Sequence, residues 1–459
     1  MSPLAQWLAE GADRHPSAPA LLGARADWRY DQLLSLAERG GVFLRARAVQ
    51  PGDAVALAGA AGDLTLAALA CSAANAVLLP LDPLTGDDAW SALQALAGGR
   101  LKRLPPLPDE LNVVATRSVP AGKRDDLALL IATSGSEGAP KVAMLTHANL
   151  DAAAVASNLC LPLSVGDVWL ACLPLHHVGG MAILCRCLRA GAATLLHEGF
   201  SAAAVWRDLH ARQVSHLSLV PAMLARLLAV ADGVRPPASL RYALIGGAAL
   251  SKPLCDRALA SGWPICPTWG MSETTAQAAT LVRAGVEWQP GQVGSLLPGL
   301  QARVAADGRL QLRGGQVMAG YLNPAWRRGC GLDDGWLSTG DLGVLEAAGQ
   351  VRIVGRADDM LISGGVKVHP LEVEACLGAC PGVRDVAVTA TPDPVWGDAL
   401  VALVVGSAEI ASLHDWCQQH LAAAKRPRRV LRVDALPRNA LGKLSRQSLR
   451  LLAQQRQPA

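Results

Sequence analysis

The sequence predicts an α/β chain, with a large N-terminal region of mixed and parallel sheet plus crossover helices and a small α+β region at the C-terminus. Three observations carry this. Its 459 residues, 51% hydrophobic and 17% charged, exceed what one compact core sustains. Strand-like apolar runs alternate with helical segments through the first part of the chain, the rhythm of parallel strands joined by helices. After about residue 355 that alternation gives way to helix, two consecutive strands and helix.

The elements follow in order. AVALAGAAGDLTLAALACSAANAVLLPLDP is broken by Asp63 and Asn75 and closes on a proline turn, so it reads as strand, helix, strand and not as a membrane span. LPPLPDELNVVATRSVPAG is a proline-rich connection with one short strand, and LALLIA is a buried strand. VWRDLHARQV is a helix, HLSLV a strand, PAMLARLLAV a helix opened by Pro221, and YALIGG a strand entering a glycine turn. In the last hundred residues LEVEACLGA and SLHDWCQQHL are helical, and VRDVAVTAT and ALVALVV are strands. No internal repeat is present.

The net charge of +4, from 42 basic and 38 acidic residues, is too even for a nucleic-acid or anionic-membrane surface and points to small-molecule partners. Eleven cysteines without a CxxC pair, and no signal peptide in MSPLAQWLAEGADRH, lead to an expectation of reduced thiols and a cytoplasmic location. Cys185 and Cys187 flank Arg186 without a further ligand nearby, which suits packing better than a metal. A homodimer is left open.

The chemistry gathers in five stretches. ATSGSEGAPKVAML follows the strand LALLIA with Thr133, Ser134, Gly135, Ser136 and Gly138, then Pro140 and Lys141. Glycines let a backbone approach a ligand, and hydroxyls beside exposed N–H groups suit phosphate oxygens. The spacing is not that of a Walker loop, since Lys141 follows a proline, and taken singly the loop fits a surface turn as well. It is followed, in order, by PTWGMSETT, WLSTGDLG, VGRADDMLISGGVKVHPLEVE and PRNALGKLSR.

These five motifs in this order resemble the adenylate-forming enzymes, the superfamily of acyl- and aryl-CoA ligases, luciferases and peptide-synthetase adenylation domains. The resemblance covers essentially the whole chain and in local wording is closest to the o-succinylbenzoate:CoA and 4-chlorobenzoate:CoA ligases. It implies an AMP-binding domain over residues 1–357 and a mobile C-terminal domain over 358–459. It also implies ATP, Mg²⁺ and CoA as co-substrates and cofactor: a carboxylate attacks the α-phosphate to give acyl-AMP and pyrophosphate, and the CoA thiol then displaces AMP.

Carried over residue by residue, the resemblance puts Thr133, Ser134, Gly135, Ser136, Gly138 and Lys141 at the phosphates. Glu137 departs from the usual Thr; a carboxylate 4 Å from triphosphate is repelled by roughly 1 to 4 kcal/mol at surface-like dielectrics. Trp269 takes the position of an adenine-stacking Tyr, Ser272 that of a hydroxyl beside the α-phosphate, and Gly247 and Gly270 complete the nucleotide pocket. Glu273 is the magnesium carboxylate, Asp341 accepts from the ribose hydroxyls, and Arg356 adds a fixed cation. Lys443 in NALGKLSR is the adenylation lysine, able to neutralise charge between carboxylate and α-phosphate. Asp358 is the hinge, and Gly364 and Gly365 line the CoA tunnel. His177 gates the junction of acyl pocket and tunnel, with Val178, Met181, Gly246, Ala248 and Met271 as pocket walls, the small residues leaving room for a ring.

The expected substrate is an aromatic acid, o-succinylbenzoate first, in a route to menaquinone or phylloquinone; its second carboxylate calls for a partner such as Arg186 or Ser218. A benzoate-type or medium-chain fatty acid, or loading of a carrier protein, are the alternatives within the superfamily. A phosphate-transferring NTPase or kinase would release ADP or phosphate in place of AMP and pyrophosphate. Retention of Glu273, Asp341, Arg356 and Lys443 together speaks against a non-catalytic nucleotide binder.

Overall fold

A computed structural model of the protein describes residues 3–23, 26–108, 123–133, 141–346, 349–438 and 444–455. Three sheets organise these residues. In the six-stranded sheet, Ala54–Ala58, Val77–Leu81, Leu101–Leu104 and Leu127–Thr133 run parallel, while Lys141–Thr146 and Gly320–Tyr321 add antiparallel strands at one edge. The helix Ala61–Ala74 between the first two strands is buried on every side, which explains why its sequence is apolar without a polar face. Its Asp63 carboxylate accepts the Ala60 N–H at 3.0 Å, and Asn75 ends it in the left-handed conformation at φ 55°.

The largest sheet has two halves. Val168–Ala171, Ala193–Leu196, His216–Leu219, Tyr242–Ile245 and Ile265–Trp269 are parallel neighbours, as the alternating segments require. Pro221 occupies the first turn of the helix Pro221–Ala231, where a missing N–H costs nothing. Beyond Ile265–Trp269 the sheet continues antiparallel through Ala279–Thr280, Gln292–Leu296, Gln350–Arg356 and Trp336–Leu345. The sequence did not announce this half: strands such as Gln292–Leu296, Trp336–Leu345 and Gln350–Arg356 mix buried and exposed residues and lack the uniform apolar run of buried parallel ones.

The third sheet is C-terminal, built on the long pair Val383–Asp393 and Gly397–Gly406, with helices Pro370–Gly378, Ile410–His420 and Arg446–Gln455. Its two hydrophobic clusters draw only on residues from Leu361 to Ala453, and the other clusters only on residues up to Ile353. Of the proline-rich connection only its first residues are described. Among the described residues no helix is long and apolar enough to cross a membrane.

Candidate active site

The carboxyl ends of the parallel strands converge, and there an open α/β sheet presents its ligand crevice. Ile265–Trp269 ends on Trp269, Tyr242–Ile245 runs into Gly246 and Gly247, and the segment after Val168–Ala171 leads to His177. His177 is the N-cap of helix Val178–Ala190. That helix starts so close to the preceding turn that a Cβ at Gly180 would stand 2.4 Å from the Pro174 carbonyl oxygen. The His176 and His177 rings are 4.4 Å apart, and His176 Nε2 lies 3.4 Å from an Asp82 carboxylate oxygen. Burial lowers the His176 pKa, and Asp82 works against that shift.

PTWGMSETT forms a strand end, a reversal and a single 3-10 turn over Ser272–Thr274. Gly270 has no room for a side chain, since a Cβ would be 2.1 Å from the Ala276 carbonyl oxygen. Thr275 and Ala276 adopt φ 52° and 88°, a conformation that non-glycine residues rarely take; Thr275 Oγ1 donates to the Gln316 carbonyl at 2.8 Å and helps hold it. The strained turn presents Glu273, whose Oε1 accepts the Tyr321 hydroxyl at 2.6 Å. Burial, then the Glu273 charge, raises the Tyr321 pKa, so the phenol stays a donor.

Tyr321 also ties Glu273 to the strand Lys141–Thr146. It pairs with Ala143 on the strand that begins at Lys141, and Lys141 Nζ sits 5.6 Å over its ring. Thr133 and Lys141 face each other across adjacent strands, with Thr133 Oγ1 donating to the Lys141 carbonyl at 3.2 Å. Ser134, Gly135, Ser136, Glu137, Gly138 and Pro140 lie outside the described residues, as do Gly442 and Lys443. Tyr321 was not singled out from the sequence; the signal available was the Gly-Tyr pair in VMAGYLN, an aromatic placed directly after a glycine of φ 128°.

Asp341 is buried and doubly held: Trp269 Nε1–H donates to Oδ2 at 2.8 Å, and Arg356 Nη1 stands 3.4 Å from Oδ1. Arg356 reaches it as the cross-strand partner of Asp341, passing over Gly340, where a Cβ would be 2.5 Å from the guanidinium. The other end of the guanidinium lies 3.4 Å from Asp358, in the 3-10 turn Ala357–Asp359. Ser272 is half-buried on the same turn as Glu273. Gly364 and Gly365, at φ 57° and 77°, make the two-residue turn between Leu361–Ser363 and Val366–Val368.

Val178 and Met181 line a cavity of ≈ 10 Å³, about one water in size, together with Leu129, Ala182, Arg186 and Thr275. Gly246, Ala248 and Met271 do not border it. The small residues at Gly246 and Gly247 are also less open than expected. A Cβ at Gly246 would meet Thr268 Cγ2 at 2.6 Å, so the neighbouring strand fills that space, and Gly247 is needed at φ 77°. Arg186 is 3% exposed, and among the described residues no carboxylate reaches its guanidinium, which stacks 5.2 Å from the Trp169 ring. Burial brings its pKa down to about 10, so it remains a cation at neutral pH. Ser218, the other candidate partner for a second carboxylate, is already engaged by the Trp169 indole N–H at 3.0 Å.

A metal ion suits the Glu273 site. The Tyr321 hydroxyl occupies one carboxylate oxygen and leaves the second, a hard oxygen donor. No group of three or more metal-binding side chains occurs among the described residues.

Comparison with known proteins bears on this arrangement. Residues 8–98 and 94–322 match the AMP-binding enzyme family, and residues 372–443 match the AMP-binding enzyme C-terminal domain. The 2-succinylbenzoate–CoA ligase of Bacillus cereus (strain Q1) is 36% identical over 338 residues, 71% of this chain and 70% of that one. The o-succinylbenzoate CoA synthetase of Bacillus subtilis, solved in complex with the acyl-adenylate intermediate OSB-AMP, superposes with a TM-score of 0.84 at 29% identity, covering 96% of this chain and 97% of that one. ATP-bound MatB from Rhodopseudomonas palustris gives a TM-score of 0.85 at 28% identity, with 98% of each chain covered. On its matched domains, its motif order and its fold, the chain belongs to the adenylate-forming, AMP-binding enzyme family of acyl-CoA ligases.

Proposed function

We propose that the protein is an ATP- and Mg²⁺-dependent acid:CoA ligase that works through an acyl-adenylate on an aromatic dicarboxylic acid, o-succinylbenzoate in the first place. The observation that carries the choice of acid is Arg186. A buried cation without a counter-ion is unfavourable, and stacking on Trp169 offsets only part of that cost. A substrate carboxylate would complete the pair, and Val178 and Met181 beside it supply an apolar, adaptable wall for a ring. Of the relatives named above, the Bacillus cereus ligase and the Bacillus subtilis synthetase carry such an acid, succinylbenzoate, in their names.

In this reading Asp341 and Arg356 hold the ribose end of ATP, and Thr133, Lys141 and the loop between them hold the phosphates. Glu273, oriented by Tyr321, would hold Mg²⁺, which when bound neutralises phosphate charge. Lys443 approaches the α-phosphate when the C-terminal domain, divided from the rest at 357/358, faces the nucleotide; His177 stands where acyl pocket and CoA tunnel meet. Rotation about Asp358 then brings Gly364 and Gly365 to the thiol acceptor. Because the cavity beside Arg186 is one water in size, the acid enters by side-chain displacement around Met181.

The test is release of AMP and pyrophosphate over a panel of acids. o-Succinylbenzoate is expected to exceed benzoate and octanoate in kcat/KM. Arg186→Met should lower that value by roughly a hundredfold, the equivalent of about 2.8 kcal/mol, and leave benzoate nearly untouched. A preference for octanoate, or an equal loss on benzoate, would overturn the assignment of the acid; release of ADP would overturn the ligase reaction.

A further inference from the structure

We propose that Trp269 is a positioning residue for Asp341: its indole N–H fixes the carboxylate that accepts the ribose hydroxyls of the nucleotide. This rests on the ribose role given to Asp341 above and goes beyond it. Trp269 closes the strand Ile265–Trp269, and Asp341 lies in Trp336–Leu345, so the hydrogen bond joins two strands of one sheet well separated in its order. The 2.8 Å bond to Oδ2 is charge-assisted and buried at both ends. Arg356 faces Oδ1, and the Asp341 backbone N–H is held by Thr339 Oγ1 at 3.2 Å. The carboxylate plane is thereby set before a ligand arrives.

A tyrosine or phenylalanine ring has no N–H at that point, so the tether belongs to the indole. A ring only 9% exposed has little face to offer adenine, which leaves the N–H as its main contribution to nucleotide binding. The replacement of Tyr by Trp in this motif is then a change of function, from platform to tether.

The experiment compares KM for ATP and for 2′,3′-dideoxy-ATP, which lacks both hydroxyls, in pyrophosphate release. Trp269→Phe is expected to raise KM for ATP about tenfold, with the loss in KM and not in kcat, while KM for the dideoxy nucleotide moves less than about threefold. Equal changes on both nucleotides, or none on either, would overturn the proposal. Replacing the Trp269 indole by benzothiophene keeps the bicyclic ring and removes only the N–H, and should reproduce the selective loss. If it behaves as the parent while Trp269→Phe is impaired, ring volume is the cause and the proposal falls. Asp341→Asn separates the two levels: if it fails to discriminate ATP from the dideoxy nucleotide, the ribose assignment itself is wrong; if it discriminates while Trp269→Phe does not, only the tether is wrong.

Discussion

At the scale of single residues, polar side chains are held by partners that a sequence does not display. Glu273 owes its orientation to Tyr321, which is distant in sequence but lies on the strand paired with Lys141–Thr146. Tyr321→Phe should therefore weaken Mg²⁺–ATP binding by about tenfold in a calorimetric titration with magnesium, and leave the affinity for AMP without metal nearly unchanged. Lys443→Ala is expected to slow adenylation by roughly two or more powers of ten while thioester formation from supplied acyl-AMP persists. Equal loss in both half-reactions would remove the lysine from its role. A pH effect belongs here too. Burial pushes His147 and His216 down from the ordinary 6.5 to about 4. Between those values the unfolded chain binds more protons than the folded one, so their contribution is fully present above about pH 6.5 and is lost as pH falls toward 4. The thermal midpoint should drop across that window, and less steeply in His216→Phe, where the ring between Trp169 and Tyr242 no longer titrates.

At the scale of elements, the parallel strands and crossover helices were legible because burial on both faces writes them as apolar runs with proline or glycine at their ends. The antiparallel half was not, because a two-residue strand such as the buried Ala279–Thr280 and a partly exposed one such as Gln292–Leu296 carry little periodicity. Motif glycines were legible as glycines but not in their reasons. Gly270 is required by the returning Ala276 carbonyl, and Gly246 by Thr268, not by a substrate ring. Gly270→Ala is thus expected to destabilise by about 2 kcal/mol or more, measured by denaturant midpoint, before any effect on catalysis is considered. Pocket filling is better tested by Ala248→Leu than at Gly247, whose φ of 77° penalises any side chain.

At the scale of the whole molecule, the two-part organisation was visible as a change of rhythm near residue 355, and the hydrophobic clusters divide in the same region, between Ile353 and Leu361. The meeting of Trp269, Asp341 and Arg356 from three separate motifs was not visible, since it depends on which strands become neighbours. Arg356 lies at this junction, with Asp341 on one side and Asp358 on the other. Asp358→Pro, which restricts φ there, should uncouple the half-reactions: one of acyl-AMP formation and thioester formation keeps its rate while overall turnover falls by an order of magnitude or more. Normal turnover in this variant would place the hinge elsewhere.

The pairing of Asp341 with Arg356 sets a rule for changes in chain length. The two residues are cross-strand partners at the open end of a hairpin whose strands end at Leu345 and begin again at Gln350. Because strand side chains alternate with a period of two, deleting one residue from the regular stretch between the pair and the turn, Gly343 to Leu345 or Val351 to Ile353, would shift Asp341 against Arg356, whereas residues added at the closed end leave the pairing in phase. Evolutionary insertions, and an engineer's fused tag, should thus collect between Leu345 and Gln350 and spare the strands on either side.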